Sequence, residues 1–291
     1  MALDPKKLEK PLVKLRKLVR KISRVPTQDE VHDIRTNTRR VEATLHALQL
    51  DGGRKGRRLL RAITPMRKKA GDVRDMDVLT GFSARLSSNK NDQCLVKLLE
   101  HLGEARARGA SKLRKTVAKR GKLAGRRLKA CALLIEKNFD KRSTRRQREW
   151  PADATAAALR LSGEVTTWPR LSAHNLHPFR LKVKEMRNVL QLSGEESELA
   201  DRMDEVKDQI GEWHDWTELD GIAKEVLSDC KNCKVVARIE QTAKQKLETA
   251  LKAAQQLRSK YFEGYGARQK RNRQKVAIEE PVLKASARLA A

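Results

Sequence analysis

Apolar side chains recur every three or four positions along most of the chain, and lysine and arginine fill many of the positions between them. The pattern is clear from Leu8 to Ile22 and again from Asp29 to Leu50. This spacing places the apolar residues on one side of an α-helix, which is typical of amphipathic helices that pack together. The chain is therefore predicted to be all-α.

Proline, glycine and polar segments divide the helical pattern. Pro26-Thr27 separates the first two helices, Asp51-Gly52-Gly53 ends the second, and Gly71 separates a third predicted helix, within which Pro65 is a candidate kink, from a fourth. Four glycines after Cys94 are candidate joints in a long helical stretch. The predicted helices span residues 8–22, 29–50, 55–71, 73–82, 94–139, 176–192, 196–227 and 235–262.

The segment 141–151 is polar, highly charged and ends in proline, which is typical of a linker. We therefore expect an N-terminal helical bundle over residues 1–148 and a C-terminal helical bundle over residues 149–264. Residues 265–291 lose the helical period and are rich in lysine and arginine, so they are predicted to form a disordered basic tail.

The charge balance indicates the class of partner. The chain has 65 Lys and Arg against 37 Asp and Glu, a net charge of +28. Because like charges repel one another in a compact state, an anionic partner is expected. Nucleic acid, an anionic membrane surface, the ribosome and polyphosphate all satisfy the charge alone.

Two further observations concern the compartment. Four cysteines in 291 residues do not make a disulfide scaffold, and the first ten residues are charged rather than apolar. No stretch approaches the ~18 uninterrupted apolar residues of a membrane span. A cytoplasmic protein without a membrane span is therefore expected.

The first candidate site lies on the second predicted helix, in the segment His32-Asp33-Ile34-Arg35-Thr36-Asn37-Thr38-Arg39-Arg40. At the helical period, His32, Arg35 and Arg39 fall within roughly 60° of one another, and Arg40 flanks them. Apolar residues occupy the same helix. The basic stripe must therefore border the core, which a purely solvated face would not require.

The same spacing occurs a second time. His177, Arg180 and Lys184 repeat the intervals of the first stripe, and Arg187 extends that face by another turn. Pro178 suits the first turn of a helix, where its missing N–H costs no hydrogen bond. A single stripe of this kind would be read as a solvated face, but chance does not favour its repetition.

A third pair of segments strengthens the repeat. Gly71-Asp72-Val73-Arg74-Asp75 aligns with Gly211-Glu212-Trp213-His214-Asp215, about 40 residues after each His-Arg helix. Arg67 precedes Arg74 by seven positions, as Lys207 precedes His214. Seven residues are close to two helical turns, so each pair shares a face if its helix is unbroken. The order of the matching segments suggests an internal duplication.

With these motifs together, the sequence resembles the CHAD family, the conserved histidine α-helical domain, over about residues 8–262. The resemblance implies two pseudo-symmetric four-helix bundles with a central basic groove or pore that binds inorganic polyphosphate. On one side it implies His32, Arg35, Arg39, Arg40, Arg67, Lys69 and Arg74 as ligand contacts, and on the other His177, Arg180, Lys184, Arg187, Lys207 and His214. It allows an association with polyphosphate or storage granules, and it implies neither a cofactor nor a catalytic residue.

Two alternative functions stay open from the sequence. A nucleic-acid-associated protein would use the same charge, although aromatic residues for base stacking are scarce and no groove-reading motif is present. A phosphoryl-transfer enzyme is less favoured, because Gly52-Gly53 lacks the lysine and serine of a phosphate-binding loop. Asp75 and Asp215 are expected to orient neighbouring cations rather than to hold a metal.

Three remaining features are read as structural. Cys230-x-x-Cys233 lacks a second ligand pair, and we expect neither Cys94 nor Cys131 to bring a close partner to it. Trp213 and Trp216 are expected to pack between helices. The basic stretch from Lys112 to Lys129 is interpreted as a solvated helix surface in preference to part of a polyanion groove.

Overall fold

The computed structural model describes residues 5–47, 50–86, 92–141, 160–192, 198–230 and 233–263. Every secondary-structure element in these ranges is helical, which confirms the all-α prediction. No helix in them is long and apolar enough to cross a lipid bilayer. Residues 160–166 are helical. The other helices are α1 (Pro5–Leu18), α2 (Gln28–Ala47), α3 (Arg54–Arg85), α4 (Gln93–Lys141), α5 (Ala173–Leu192), α6 (Glu198–Val226) and α7 (Lys234–Leu257), the last followed by a π-helix (Arg258–Glu263).

Packing divides the chain into two compact units, each made of two segments. The first unit comprises Met1–Arg148 and Asp215–Glu240, and the second comprises Glu149–His214 and Gln241–Ala291. The sequence assigned residues 215–240 to the C-terminal bundle, whereas in the structure they pack with the first unit. The predicted linker centre and the predicted basic tail lie outside the described residues.

Four helices form the body of the first unit. Helix α1 packs on α2 and α4, and α3 also packs on α2 and α4. Leu12, Ile34, Leu59 and Leu98, one from each of these helices, are almost completely buried between them. Burial of such side chains contributes roughly 1.5–3 kcal/mol each. This core fixes the positions of the basic residues on α2 and α3.

Helix α3 runs without interruption through both Pro65 and Gly71. The prediction of two helices separated at Gly71 is therefore wrong, and Arg67 and Arg74 lie on one continuous helix. Pro65 has no N–H, so the carbonyl of Arg61 cannot accept the usual hydrogen bond from four residues ahead. The guanidinium of Arg120 on α4 donates to that carbonyl instead, at 3.2 Å.

The predicted glycine joints do not break α4, which extends over 49 residues. Two of these glycines permit close helix packing. A Cβ at Gly121 would lie 2.9 Å from the carbonyl oxygen of Val19, and one at Gly109 would lie 3.2 Å from a methyl group of Val73. The helix propensity lost at glycine, about 1 kcal/mol relative to alanine, is offset by this close approach.

A buried ion pair joins α3 to α4. The Nε of Arg106 donates to Oδ1 of Asp77 at 2.6 Å, and the Asp77 side chain is 1% exposed. The same guanidinium also donates to the carbonyl of Pro26 at 3.1 Å. Because Asp77 is occupied in this way, it serves the packing of the unit.

The second unit has its own apolar core. Phe179 and Met186 of α5 pack with Ile210 and Trp213 of α6, together with Phe262 of the π-helix. Each turn of α5 contributes a buried apolar residue to this core, at spacings of three and four positions. The ring of Trp216, in the first unit, stacks on that of Phe82 with centroids 4.7 Å apart. Both tryptophans therefore pack between helices, as predicted.

Cys94 contacts two other cysteines in the first unit. The thiol of Cys94, in the first turn of α4, lies in hydrogen-bond contact with those of Cys233 and Cys230. The expectation that Cys94 brings no close partner to this pair is therefore wrong. The contact with Cys233, then burial, and then the contact with Cys230 raise the pKa of Cys94 to about 12. Its thiol accordingly stays protonated at neutral pH.

Candidate functional site

The predicted cations of the first unit come from two adjacent helices. Arg35 and Arg39 on α2 and Arg74 on α3 are half-buried, and all three lie within electrostatic reach of Asp75. Burial has the largest effect on Asp75 and raises its pKa. The positive charges of Arg35, Arg74 and Arg39 lower the pKa, whereas the negative charge of Asp72 raises it. Together these effects leave the pKa of Asp75 above its usual value. The structure thus gathers three predicted site residues around one carboxylate. His32 and Arg40 lie on the exposed part of α2.

Two other predicted cations of this unit have close acidic partners. Nε of Arg67 lies 2.9 Å from Oε2 and 3.1 Å from Oε1 of Glu42, and the hydroxyl of Thr64 donates to the same carboxylate at 2.9 Å. Lys69 pairs with Asp72 at 2.8 Å. Sequence reasoning missed Glu42, because its pairing with Arg67 depends on how α2 packs on α3. An anion reaching Arg67 must compete with this carboxylate.

In the second unit, Arg180 crosses from α5 to α6. Its Nε donates to the carbonyl of Lys207 at 2.8 Å. Its guanidinium lies against Gly211, so closely that a Cβ on that glycine would be 2.7 Å from a terminal nitrogen of the arginine. The absence of a side chain at Gly211 therefore makes room for Arg180. The aligned Gly71 of the first unit has open space where a Cβ would stand.

A carboxylate also organises cations in the second unit. Nε of Arg187 donates to Oδ2 of Asp204 at 2.7 Å, and Nζ of Lys207 donates to Oδ1 of the same residue at 2.7 Å. Burial raises the pKa of Asp204, but the hydrogen bonds from Lys207 and Arg187 outweigh it and hold the pKa below its usual range. Asp204 was not among the residues predicted from the sequence, although its position three residues before Lys207 on a helix was a usable signal.

The two predicted histidines of the second unit lie side by side. The rings of His177 and His214 have centroids 4.9 Å apart, and Nδ1 of His177 is buried without a hydrogen-bond partner among the described residues. Burial lowers the pKa of His177, and the neighbouring His214 and Arg180 lower it further. His177 is therefore neutral at neutral pH, and a bound anion would favour its protonated form. Lys184 is half-buried on the same helix.

A basic groove of about 730 Å³ lies between α3 and α4 in the first unit. The sequence analysis did not assign this site, and Lys69 is the one predicted site residue that it contains. Lys115 and Lys119 are exposed, in keeping with the interpretation of Lys112 to Lys129 as a solvated helix surface, and together with Arg120 they also line the groove. The lining residues are Leu60, Arg61, Thr64, Pro65, Lys68, Lys69, Lys115, Thr116, Lys119 and Arg120.

Comparison with known protein families identifies the family of the chain. The model of the CHAD domain matches residues 7–224, well over half of the chain. The chain belongs to the CHAD domain family. This confirms the resemblance that the paired His-x-x-Arg motifs suggested, and both copies of that motif fall within the matched residues.

Two solved structures share the fold of this CHAD domain. The CHAD domain from the plant Ricinus communis has 13% sequence identity and a TM-score of 0.61, with 88% of this chain and 94% of that chain covered. PptA from Streptomyces chartreusis has 16% identity and a TM-score of 0.56, with 87% and 96% covered. At these identities the likeness concerns the fold alone. No curated protein sequence matches the chain.

Proposed function

We propose that this CHAD domain binds inorganic polyphosphate and does not act on it as an enzyme. The observation that carries the proposal is that each unit gathers predicted cations from two helices around one carboxylate. In the first unit that carboxylate is Asp75, and in the second it is Asp204. Two such clusters on one basic chain suit a ligand that offers many equivalent anionic groups. Membership of the CHAD family supports the choice of polyphosphate among polyanions.

The geometry favours binding because the cations are held in place before the ligand arrives. The guanidinium of Arg180 is fixed by the Lys207 carbonyl, and Arg187 is fixed by Asp204. Ordering a long side chain costs about 0.5–1.5 kcal/mol on binding, so prior fixation removes part of that cost. Each charge-assisted hydrogen bond to a phosphate oxygen then contributes about 1.5–3 kcal/mol.

The same carboxylates give no support to phosphoryl-transfer chemistry. Such reactions normally use carboxylates that hold magnesium. Here Asp77 pairs with Arg106, Asp204 pairs with Arg187 and Lys207, and Asp75 lies among arginines. These carboxylates balance cations and orient them. Localisation to polyphosphate granules in the cytoplasm would follow from the binding itself.

Titration with polyphosphates of defined length tests this function. We expect the affinity to rise with chain length and then to level off, because a finite set of cations can contact only a finite length of ligand. Duplex DNA at equal phosphate concentration and moderate salt should fail to displace long polyphosphate. Displacement by DNA would instead support a nucleic-acid-binding protein, and shortening of the polyphosphate in the presence of magnesium would indicate an enzyme.

Substitution Gly211→Ala is expected to weaken polyphosphate binding without destabilising the fold. The new methyl group would displace the guanidinium of Arg180, whose flexible end can move away at little cost. Losing one well-placed charged contact of about 1.5 kcal/mol corresponds to a roughly tenfold weaker affinity. Alanine also favours the helix by up to about 1 kcal/mol, so the free energy of unfolding should stay constant or rise.

The control is Gly71→Ala, at the aligned position of the first unit. Open space surrounds that site, so the substitution should leave the affinity unchanged. Isothermal titration calorimetry of both variants gives the affinity, and chemical denaturation gives the free energy of unfolding. Equal affinity in the Gly211→Ala variant and the unmodified protein would show that the placement of Arg180 does not matter for binding.

A further inference from the structure

The groove between α3 and α4 differs from the motif clusters in its charge balance. Six of its ten lining residues are lysine or arginine, and none of the ten is acidic. Within the described residues, Lys69 is the one of these six that forms an ion pair, with Asp72. The motif residues Arg67 and Arg187 are instead opposed by carboxylates. An anion entering the groove would therefore meet little competition from acidic side chains of the protein.

Pro65 makes possible one of the contacts that join α3 to α4 at the groove. This residue lies in its wall and leaves the carbonyl of Arg61 without the usual helical hydrogen bond. Arg120 donates to that carbonyl from α4, and about two turns further along α4 Arg127 donates to the backbone carbonyl of Arg58. Two arginines of α4 are thus anchored on the backbone of α3. These contacts join the two helices that form the groove.

The lining also indicates the chemistry of the ligand. Lys68, Lys115 and Lys119 are exposed, and their mutual repulsion would be relieved by a ligand that brings several negative charges at once. No lining residue is aromatic, so the groove offers no surface on which nucleobases could stack. The hydroxyls of Thr64 and Thr116 already donate within the protein. Recognition therefore rests on charge, which suits a ligand without bases.

We infer that the α3–α4 groove binds a segment of condensed phosphate chain, in addition to the motif residues that the CHAD resemblance indicated. This inference rests on the proposed binding of polyphosphate and adds a second contact region to it. The groove's volume of about 730 Å³ accommodates a short run of phosphate groups. Leu60 and Pro65 add apolar surface to the lining, next to which the attraction between phosphate and lysine is screened less than in bulk water.

The test compares two pairs of lysines on the same helix. The groove variant is Lys115→Gln with Lys119→Gln, and the control variant is Lys122→Gln with Lys129→Gln, whose lysines are exposed on α4 but do not line the groove. Both remove the same charge and keep good helix formers. With the full chain and long polyphosphate, we expect the groove variant to bind about tenfold more weakly. Its affinity should also depend less on salt, with the slope of log affinity against log salt smaller in magnitude by roughly one to two. The control variant should stay close to the unmodified protein.

Lysine acetylation followed by mass spectrometry locates the contact directly. Bound polyphosphate should protect Lys68, Lys115 and Lys119 from acetylation more than Lys122 and Lys129. If the unmodified protein binds polyphosphate but both variants lose the same affinity and all lysines are protected alike, the groove inference is overturned and the proposed function stands. If the unmodified protein does not bind polyphosphate, the proposed function itself fails.

Discussion

Replacing Arg35 and Arg180 together with glutamine is expected to weaken polyphosphate binding by roughly 100-fold, since each removes a charged contact of about 1.5 kcal/mol. Both side chains are half-buried on helices and belong to different units. Arg180 is fixed by the Lys207 carbonyl, and Arg35 lies beside Asp75. Each is therefore oriented before the ligand binds. Fluorescence anisotropy with labelled polyphosphate measures the loss, and circular dichroism should show unchanged helicity.

The control removes the same charge from the C-terminal segment, with Arg271→Gln and Arg273→Gln, at positions outside the described residues. We expect this pair to change the affinity by less than about threefold at moderate salt, because neither position belongs to the paired motifs and the attraction of net charge alone is strongly screened. Equal losses from the two pairs would mean that net charge governs binding. The motif positions would then have no special role.

Substitution Arg106→Met is expected to lower the free energy of unfolding by about 3 kcal/mol, because it leaves the buried carboxylate of Asp77 without its partner. The guanidinium contact with the carbonyl of Pro26 is lost as well. Urea denaturation followed by circular dichroism measures the change. Since Arg106 is not among the proposed ligand contacts, the folded variant should bind polyphosphate with nearly normal affinity.

Two further variants show whether the burial of the ion pair causes the loss of stability. Arg108→Met removes an exposed ion pair with Glu104 on the same helix and should cost no more than about 0.5 kcal/mol. Adding Asp77→Leu to Arg106→Met replaces the buried pair by apolar residues and should recover most of the lost stability. A double variant as unstable as Arg106→Met alone would show that the unpaired carboxylate is not responsible.

The helices could be predicted from the sequence because the helical period is a local property. An apolar residue at every third or fourth position favours one side of a helix regardless of its eventual partner. The breaks were harder to predict. Gly71 and the glycines of α4 carry a helix penalty of about 1 kcal/mol each, and burial along a long helix outweighs it. At Gly121 the penalty coincides with a close contact that no local pattern reveals.

The candidate site, too, was predictable from the sequence only in part. Repetition of the His-x-x-Arg spacing identified the cations and the family, because such motifs lie within single helices. The sequence did not indicate which carboxylate each cation meets. Glu42 reaches Arg67, and Asp204 reaches Arg187, only because two helices pack with one particular alignment. The cysteine contact of Cys94 is of the same kind, since it joins positions far apart in the chain.

The sequence by itself determined that this protein is helical, strongly basic and a CHAD domain, because period, charge and motif spacing are all properties of neighbouring residues. Only the tertiary structure decided which of the cations are balanced and which are not. Arg67 and Arg187 were brought to carboxylates, whereas Lys115 and Lys119 came to line a groove without acidic residues. The physical reason is that charge pairing depends on distances of a few ångströms between helices, and those distances are set by the packing of the core.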